Sequence, residues 1–343
     1  MSQPTTPDKQ PGYAKSKSIY DPLPRGKWIR LMRLLPGSLE EPIHIEFFAI
    51  NLEGAPQYEA ISYCWGDGNH CTAVRCSDSQ LKITVSLFGA LRRFRDDSLP
   101  RILWADAVCI DQSDVAEKSR QVNLMGEVYG RASRVLIWLG EDTDGDAGEA
   151  LQFIKDINRH LEREVLNFSA KQEPQSQKSI SNTIQNLPSL ANNSPLLSLA
   201  SWQTFKSLLS RPYFRRVWVL QEVGLAEEAW AFIGEESIQL SEIVQACLLT
   251  SFHPDLALVP VNLPTGRILD TCSNIWSGFG RERSWLQELP ILQQYNAHCV
   301  AYLHALTIVD VLNTARRHKA SEPCDYVYAL LGIMTVCISE GSH

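Results

Sequence analysis

The stretch RPYFRRVWVLQEVG, residues 211–224, places one carboxylate, Glu222, inside an apolar and aromatic run. A charge buried in such surroundings needs a partner. Read as one helix, the stretch brings Arg215, Trp218 and Glu222 to one face at i, i+3 and i+7. Two chemistries fit that spacing. In one, Arg215 or Arg216 neutralises Glu222 in a structural ion pair beneath a tryptophan; in the other, Glu222 is a catalytic carboxylate on a cleft wall.

A second pair of acids sits in ILWADAVCIDQ, residues 102–112. Alternation along a strand puts Asp106 on the face of Trp104, whereas Asp111 falls on the other face or beyond the strand, where it suits a helix cap. Arg120, downstream, has the chemistry to pair with either aspartate or to meet a phosphate. Trp65 and Trp218 offer rings that stack on a base or fill a core. Ligands of open parallel sheets bind outside the carboxyl ends of the strands, which selects three loops: 62–69, 106–112 and 140–146. Each carries acids, amides or glycines suited to sugar hydroxyls or close backbone approach, as turns in general also do.

These residues need a frame, and the patterning supplies one. Residues 58–68, 101–112 and 134–146 each read as a short apolar strand running into a polar loop. Helical spacing follows each of them, at 82–95, 113–132 and 147–162, and Asp114 with Glu117 predicts a capping box. Strand-helix units in series imply a parallel sheet covered on both faces. Residues 28–35 and 44–52 predict a preceding strand pair, and 228–240 a strand, turn and short strand. Pro212 predicts the end of one helix and the start of the next within 199–226. The expected organisation is a disordered tail at 1–20, N-terminal strands at 21–57, a main domain at 58–233 and a mostly helical C-terminal region at 234–343. Within the main domain, Ser- and Gln-rich residues 167–193 predict a flexible insertion, and the abrupt ending suggests a domain that continues beyond residue 343.

Composition excludes several classes. The net charge of -7 argues against a nucleic-acid partner. The longest apolar runs are too short for a membrane span, and the polar N-terminus lacks a secretory core, so a cytoplasmic protein is expected. The nine cysteines are odd in number and scattered, which predicts reduced, buried thiols; His70, Cys71 and Cys76 lack a second ligand pair, so no metal is expected. Signatures of the common hydrolases, NTPases and dehydrogenases are absent.

Four motifs in order, AISYCWGD (60–67), ILWADAVCIDQ (102–112), EVYGRASRVLIWLGE (127–141) and RRVWVLQEV (215–223), resemble the fungal heterokaryon incompatibility (HET) domain. ARRHKASEPCDYVYALLGI, residues 315–333, is similar to a segment that often follows that domain, with Cys324 and Tyr326 where the family usually has basic residues. The resemblance implies a role in fungal non-self recognition and programmed cell death, and a distant likeness to TIR domains with their flavodoxin-like parallel sheet. Many TIR domains cleave NAD using a glutamate four residues after a tryptophan, the offset of Trp218 and Glu222, and ISYCWGD looks like their first strand and loop. On that resemblance Glu222 is the catalytic carboxylate, with Ser62, Trp65, Gly66, Asp67, Asp106 and Trp218 binding NAD as substrate and no cofactor required. The alternative implied by the same family is a non-enzymatic adaptor that self-associates or binds a protein partner in incompatibility signalling, with Glu222 in a structural pair.

Overall fold

In the computed structural model, which describes residues 19–169, 184–256, 315–316, 318–320 and 322–330, the apolar stretch around residue 60 becomes the strand about which the sheet is ordered. The strands are β1 (Trp28–Leu34), β2 (His44–Asn51), β3 (Glu59–Tyr63), β4 (Cys71–Cys76), β5 (Ser79–Thr84), β6 (Arg101–Trp104), β7 (Arg134–Trp138), β8 (Ala229–Ile233) and β9 (Glu236–Gln239). They form one sheet in the order β5-β4-β2-β1-β6-β3-β7-β8-β9.

The sheet is mixed, which corrects the expectation of a parallel one. In the centre β6, β3, β7 and β8 run parallel to one another, while β1 meets β6 antiparallel, β2 meets β4 through a short parallel pairing, and hairpins close both ends. In chain order these four strands lie second, first, third, fourth, so the chain leaves β3 toward β6 and leaves β7 in the opposite direction, toward β8. The first four residues of β1, β3 and β7 that follow a half-buried start are all buried, as strands covered on both faces should be.

Helices are α1 (Val85–Phe94), α2 (Asp106–Cys109), α3 (Val115–Arg131), α4 (Ala147–Ser169), α5 (Leu199–Leu209), α6 (Val219–Gly224) and α7 (Leu240–Phe252). Phe94 of α1 packs edge-on against Trp138 and Phe232 on one face of the sheet. On the other face, Tyr129 of α3 meets Trp104, and α6 lies over β3. Phe153 of α4 packs on Trp202 and Phe205 of α5.

Three local expectations change for physical reasons. Residues 101–112 do not form one long strand: it ends at Trp104, and Asp106 accepts from the Ala107 N–H (2.7 Å) at the start of one helical turn. The β4–β5 hairpin precedes α1 where helix alone was expected at 82–95; on an edge ribbon only Val74, Cys76 and Ile83 are buried, so the alternation is faint. Beyond Pro212 the chain makes a 3-10 turn to Arg215, then extends at Arg216, so the proposed single face of Arg215, Trp218 and Glu222 does not exist. The extension has a cause: Lys319 N–H donates to the Arg215 carbonyl (2.5 Å) and Val217 N–H to the Lys319 carbonyl (3.0 Å).

Helix α3 is capped by Asp114, whose carboxylate accepts from the N–H groups of Ala116 (2.9 Å) and Glu117 (3.1 Å); Asp111 instead turns back on Ser113. Only half of the predicted capping box forms, because Glu117 is used elsewhere. Buried with 2% exposure, it pairs with the equally buried Arg30 of β1 (2.8 Å) and accepts from the Asp111 N–H (2.8 Å). Arg30 also donates to the Cys109 carbonyl (2.8 Å). This buried pair therefore fixes the loop that carries Asp106.

The expected tail at 1–20 lies almost wholly outside the described residues, as do the centre of the 167–193 insertion and most of the C-terminal region. Among the described cysteines, Cys76, Cys109 and Cys247 are buried as expected, but Cys71 and Cys324 are exposed. Among the described residues no helix is long and apolar enough to cross a membrane, and no group of three or more His, Cys, Asp or Glu could hold a metal ion. Removing one partner of the buried pair leaves the other charge stranded, so Glu117→Ala should lower stability by about 3–5 kcal/mol. Urea titration would read this as a lower midpoint at unchanged slope; a loss under about 1 kcal/mol would contradict the account.

Candidate functional site

Two carboxylates and one guanidinium meet at the carboxyl ends of β3 and β6. Ser62, on the β3 face toward α6, is fully buried, and its hydroxyl donates to Glu222 through a short hydrogen bond. Since a hydroxyl has a single proton, the Tyr213 hydroxyl must donate to Ser62 (2.7 Å) in turn. Arg216 forks over the same carboxylate, with Nη1 and Nη2 each 3.3 Å from an oxygen of Glu222. Glu222 is 1% exposed and its oxygens are satisfied from both sides.

The partner is thus Arg216, not Arg215, which is exposed. Extended backbone at 216 turns the guanidinium inward, an outcome that hydrogen bonds to residue 319 impose. Burial alone would lower the affinity of Arg216 for its proton; Glu222, Cys64 and Asp106 outweigh it and hold the guanidinium above its usual range.

Asp106 is the carboxylate that meets solvent. It is 9% exposed, and both of its oxygens accept from the Trp65 indole N–H, at 3.1 and 2.9 Å. Burial, followed by the neighbouring Glu222 charge, pushes its carboxyl up to about 6, against the opposing pull of Arg216 and the Trp65 and Ala107 N–H groups. The Tyr63 hydroxyl beside it is buried with no hydrogen-bond partner among the described residues, and burial and then the Asp106 charge raise it well above its usual value.

A cleft of about 760 Å³ opens above this cluster. Cys64, Trp65 and Gly66 supply its edge after β3, where Gly66 takes a positive φ of 74° that a side chain would strain. One stripe of α3, Val115, Lys118, Ser119 and Val122, forms a wall at helical spacing. Arg216 and Trp218 line it from the turn before α6, and Lys319, Glu322, Asp325 and Tyr328 from the C-terminal segment.

Of the residues expected at a site, Trp65, Gly66, Asp106 and Trp218 line the cleft together. Ser62 and Glu222 lie beneath it, behind Arg216. Asp67 does not line it: exposed, it accepts from the Asn69 N–H (2.9 Å) and pairs with His70 (3.0 Å), bracing its own loop. Arg120 is exposed on α3. Sequence reasoning did not find Tyr213, Lys118, Lys319 or Tyr328. A stripe at 115, 118, 119 and 122 was legible as one helix face, but its facing a cleft was not.

The charged cluster leads to two expectations. Glu222→Gln keeps the shape but turns an amide N–H₂ toward Arg216 donors, and should cost roughly 2–4 kcal/mol in chemical denaturation; no loss would contradict a fully paired Glu222. The second concerns pH. Folded Asp106 holds its proton more tightly than at the ordinary 3.8, so its contribution to stability is present at low pH and lost as pH rises from about 4 to 6. Relative to Asp106→Asn, the wild type should lose on the order of 3 kcal/mol across that window. Parallel denaturation curves for the two proteins would contradict this.

Comparison with known proteins bears on the same residues. The family model described as Heterokaryon incompatibility protein (HET) matches residues 58–222. Heterokaryon incompatibility protein 6, OR allele, of Neurospora crassa is 26% identical over 337 residues, covering 89% of this chain and 47% of that protein. The chain therefore spans about half the length of this curated relative. No solved structure matches.

Proposed function

We propose, from the premise that this chain carries a heterokaryon incompatibility domain at residues 58–222, that it acts in fungal heterokaryon incompatibility through the cleft lined by Trp65 and Asp106, and that this cleft cleaves the nicotinamide-ribose bond of NAD. The observation that carries the reading is the gathering of Asp106 and Glu222 around Arg216 at the carboxyl ends of β3 and β6, with Asp106 facing the cleft. The second-first-third-fourth order of the parallel strands supports a flavodoxin-like, TIR-like reading, and β3 is where such a sheet binds its ligand.

The chemistry suits a carboxylate without an acid partner. The C1′–N bond breaks with its electron pair going to nicotinamide, which leaves neutral and needs no proton. The ribose becomes an oxocarbenium ion, whose positive charge an ionised carboxylate stabilises. Water then adds at C1′ and releases one proton. Asp106, which lines the cleft, supplies this contact, and Glu222 acts through Arg216. Trp65 and Trp218 would flank a ring. Activity should rise with the ionisation of Asp106, with a midpoint near pH 6.

One observation favours a second reading, a non-enzymatic signalling module that self-associates or binds a protein partner. It is the closed pairing of Glu222, 1% exposed under Arg216. NAD consumption by the purified chain separates the two. Turnover that falls at least about 100-fold in Asp106→Asn, a loss typical of removing one transition-state electrostatic contact, is expected. Absence of turnover even after enforced oligomerisation would leave the signalling module.

A further inference from the structure

The cleft is not completed by the residues that match the family. Lys319, Glu322, Asp325 and Tyr328 lie about a hundred residues beyond position 222, yet they line it beside Trp65 and Arg216. Their backbone is tied to the carboxylate cluster from both sides. Residue 319 pairs with the chain at Arg216, through the hydrogen bonds that set the Arg216 conformation. With its side-chain amide assigned the orientation that satisfies both ends, Gln221, adjacent to Glu222, donates to the carbonyls of Tyr328 (3.1 Å) and Ala329 (3.2 Å) while its oxygen accepts from the Gly126 N–H (2.7 Å). Ala315, His318, Ala329 and Leu330 are buried around the segment, which makes this wall part of the core.

Held on that backbone, Tyr328 leaves 42% of its surface exposed, and Trp65, its N–H occupied by Asp106, leaves 39%. Exposed rings on fixed backbone in a shared cleft are platforms for a planar ring. Lys118 and Lys319 are the exposed cations of the lining, whereas Arg216 is engaged by Glu222. Of the acids, Asp106 sits at the floor, and Asp325 accepts from the Glu322 N–H (3.2 Å). A dinucleotide with its ribose at Asp106 must keep its phosphates away from that carboxylate and near the lysines.

We propose that Lys319, Glu322, Asp325 and Tyr328 form the second wall of a composite nucleotide site, in which Trp65 and Tyr328 take a planar base and Lys118 and Lys319 take phosphate. The proposal rests on the reading of this cleft as the ligand site, and not on cleavage. Binding of ADP-ribose and of adenosine to the full chain, measured by calorimetry, tests it without turnover. Tyr328→Ala should weaken both ligands about tenfold, the scale of one lost stacking contact. Lys319→Ala should weaken ADP-ribose about fivefold, more at low salt, and leave adenosine unchanged. Val327→Ala, a neighbour 50% exposed, serves as the control and should alter neither. Melting temperatures identify any variant that fails to fold; Tyr328→Leu and Lys319→Gln then replace it. Unchanged affinities in folded variants, or no ADP-ribose binding by the wild type at millimolar concentration, would overturn the composite site. ADP-ribose binding without NAD turnover would overturn cleavage and leave the site standing.

Discussion

A carboxylate with 1% exposure at the end of a buried strand has to be answered from every side, and the satisfaction of Glu222 organises much of this molecule. Ser62 reaches it from β3, Arg216 from the extended turn before α6, and Tyr213 through Ser62 from the 3-10 turn. Leaving any of these groups unpaired in a low-dielectric interior would cost several kcal/mol, so the three segments are locked in one arrangement. The arrangement extends outward, because residue 319 holds the backbone on either side of Arg216.

The same constraint shapes the chemistry above it. A single guanidinium serves Glu222 by contact and Asp106 by field, and burial with the Glu222 charge leaves Asp106 titrating near neutrality. One acid is thereby held in hydrogen bonds on every side while the other faces the cleft. A second pair, Arg30 with Glu117, is fully buried and holds the Asp106 loop from beneath, while Arg216, which lines the cleft, holds Glu222. Pairs of titratable groups with environments this different are characteristic of sites that divide their labour.

The position of the cleft follows from topology. The chain leaves β3 toward β6 and leaves β7 toward β8, so the loops after these neighbouring strands diverge and leave a crevice at the carboxyl end of β3. The antiparallel β1 and β2 belong to the same sheet, and β1 contributes Arg30, which is why strands ahead of the family-matched residues matter to the site.

Much of this was written in local pattern. The strands at 59–63, 134–138 and 229–233 announce themselves because continuous apolar runs suit only a sheet covered on both faces, and Glu222 and Asp106 stood out as acids in apolar company. Local pattern failed where partners come from far away. Arg30 stands amid WIRLMRL with nothing local to name Glu117, 87 residues on, as its partner. The 211–224 stretch reads as a helix until the 319 segment takes its backbone hydrogen bonds, and only that distant pairing chose Arg216 over Arg215. The sequence by itself thus determined which residues must be buried and which charges need answering. Tertiary structure alone decided which charge answers which, because that choice depends on backbone direction set by hydrogen bonds across a hundred residues.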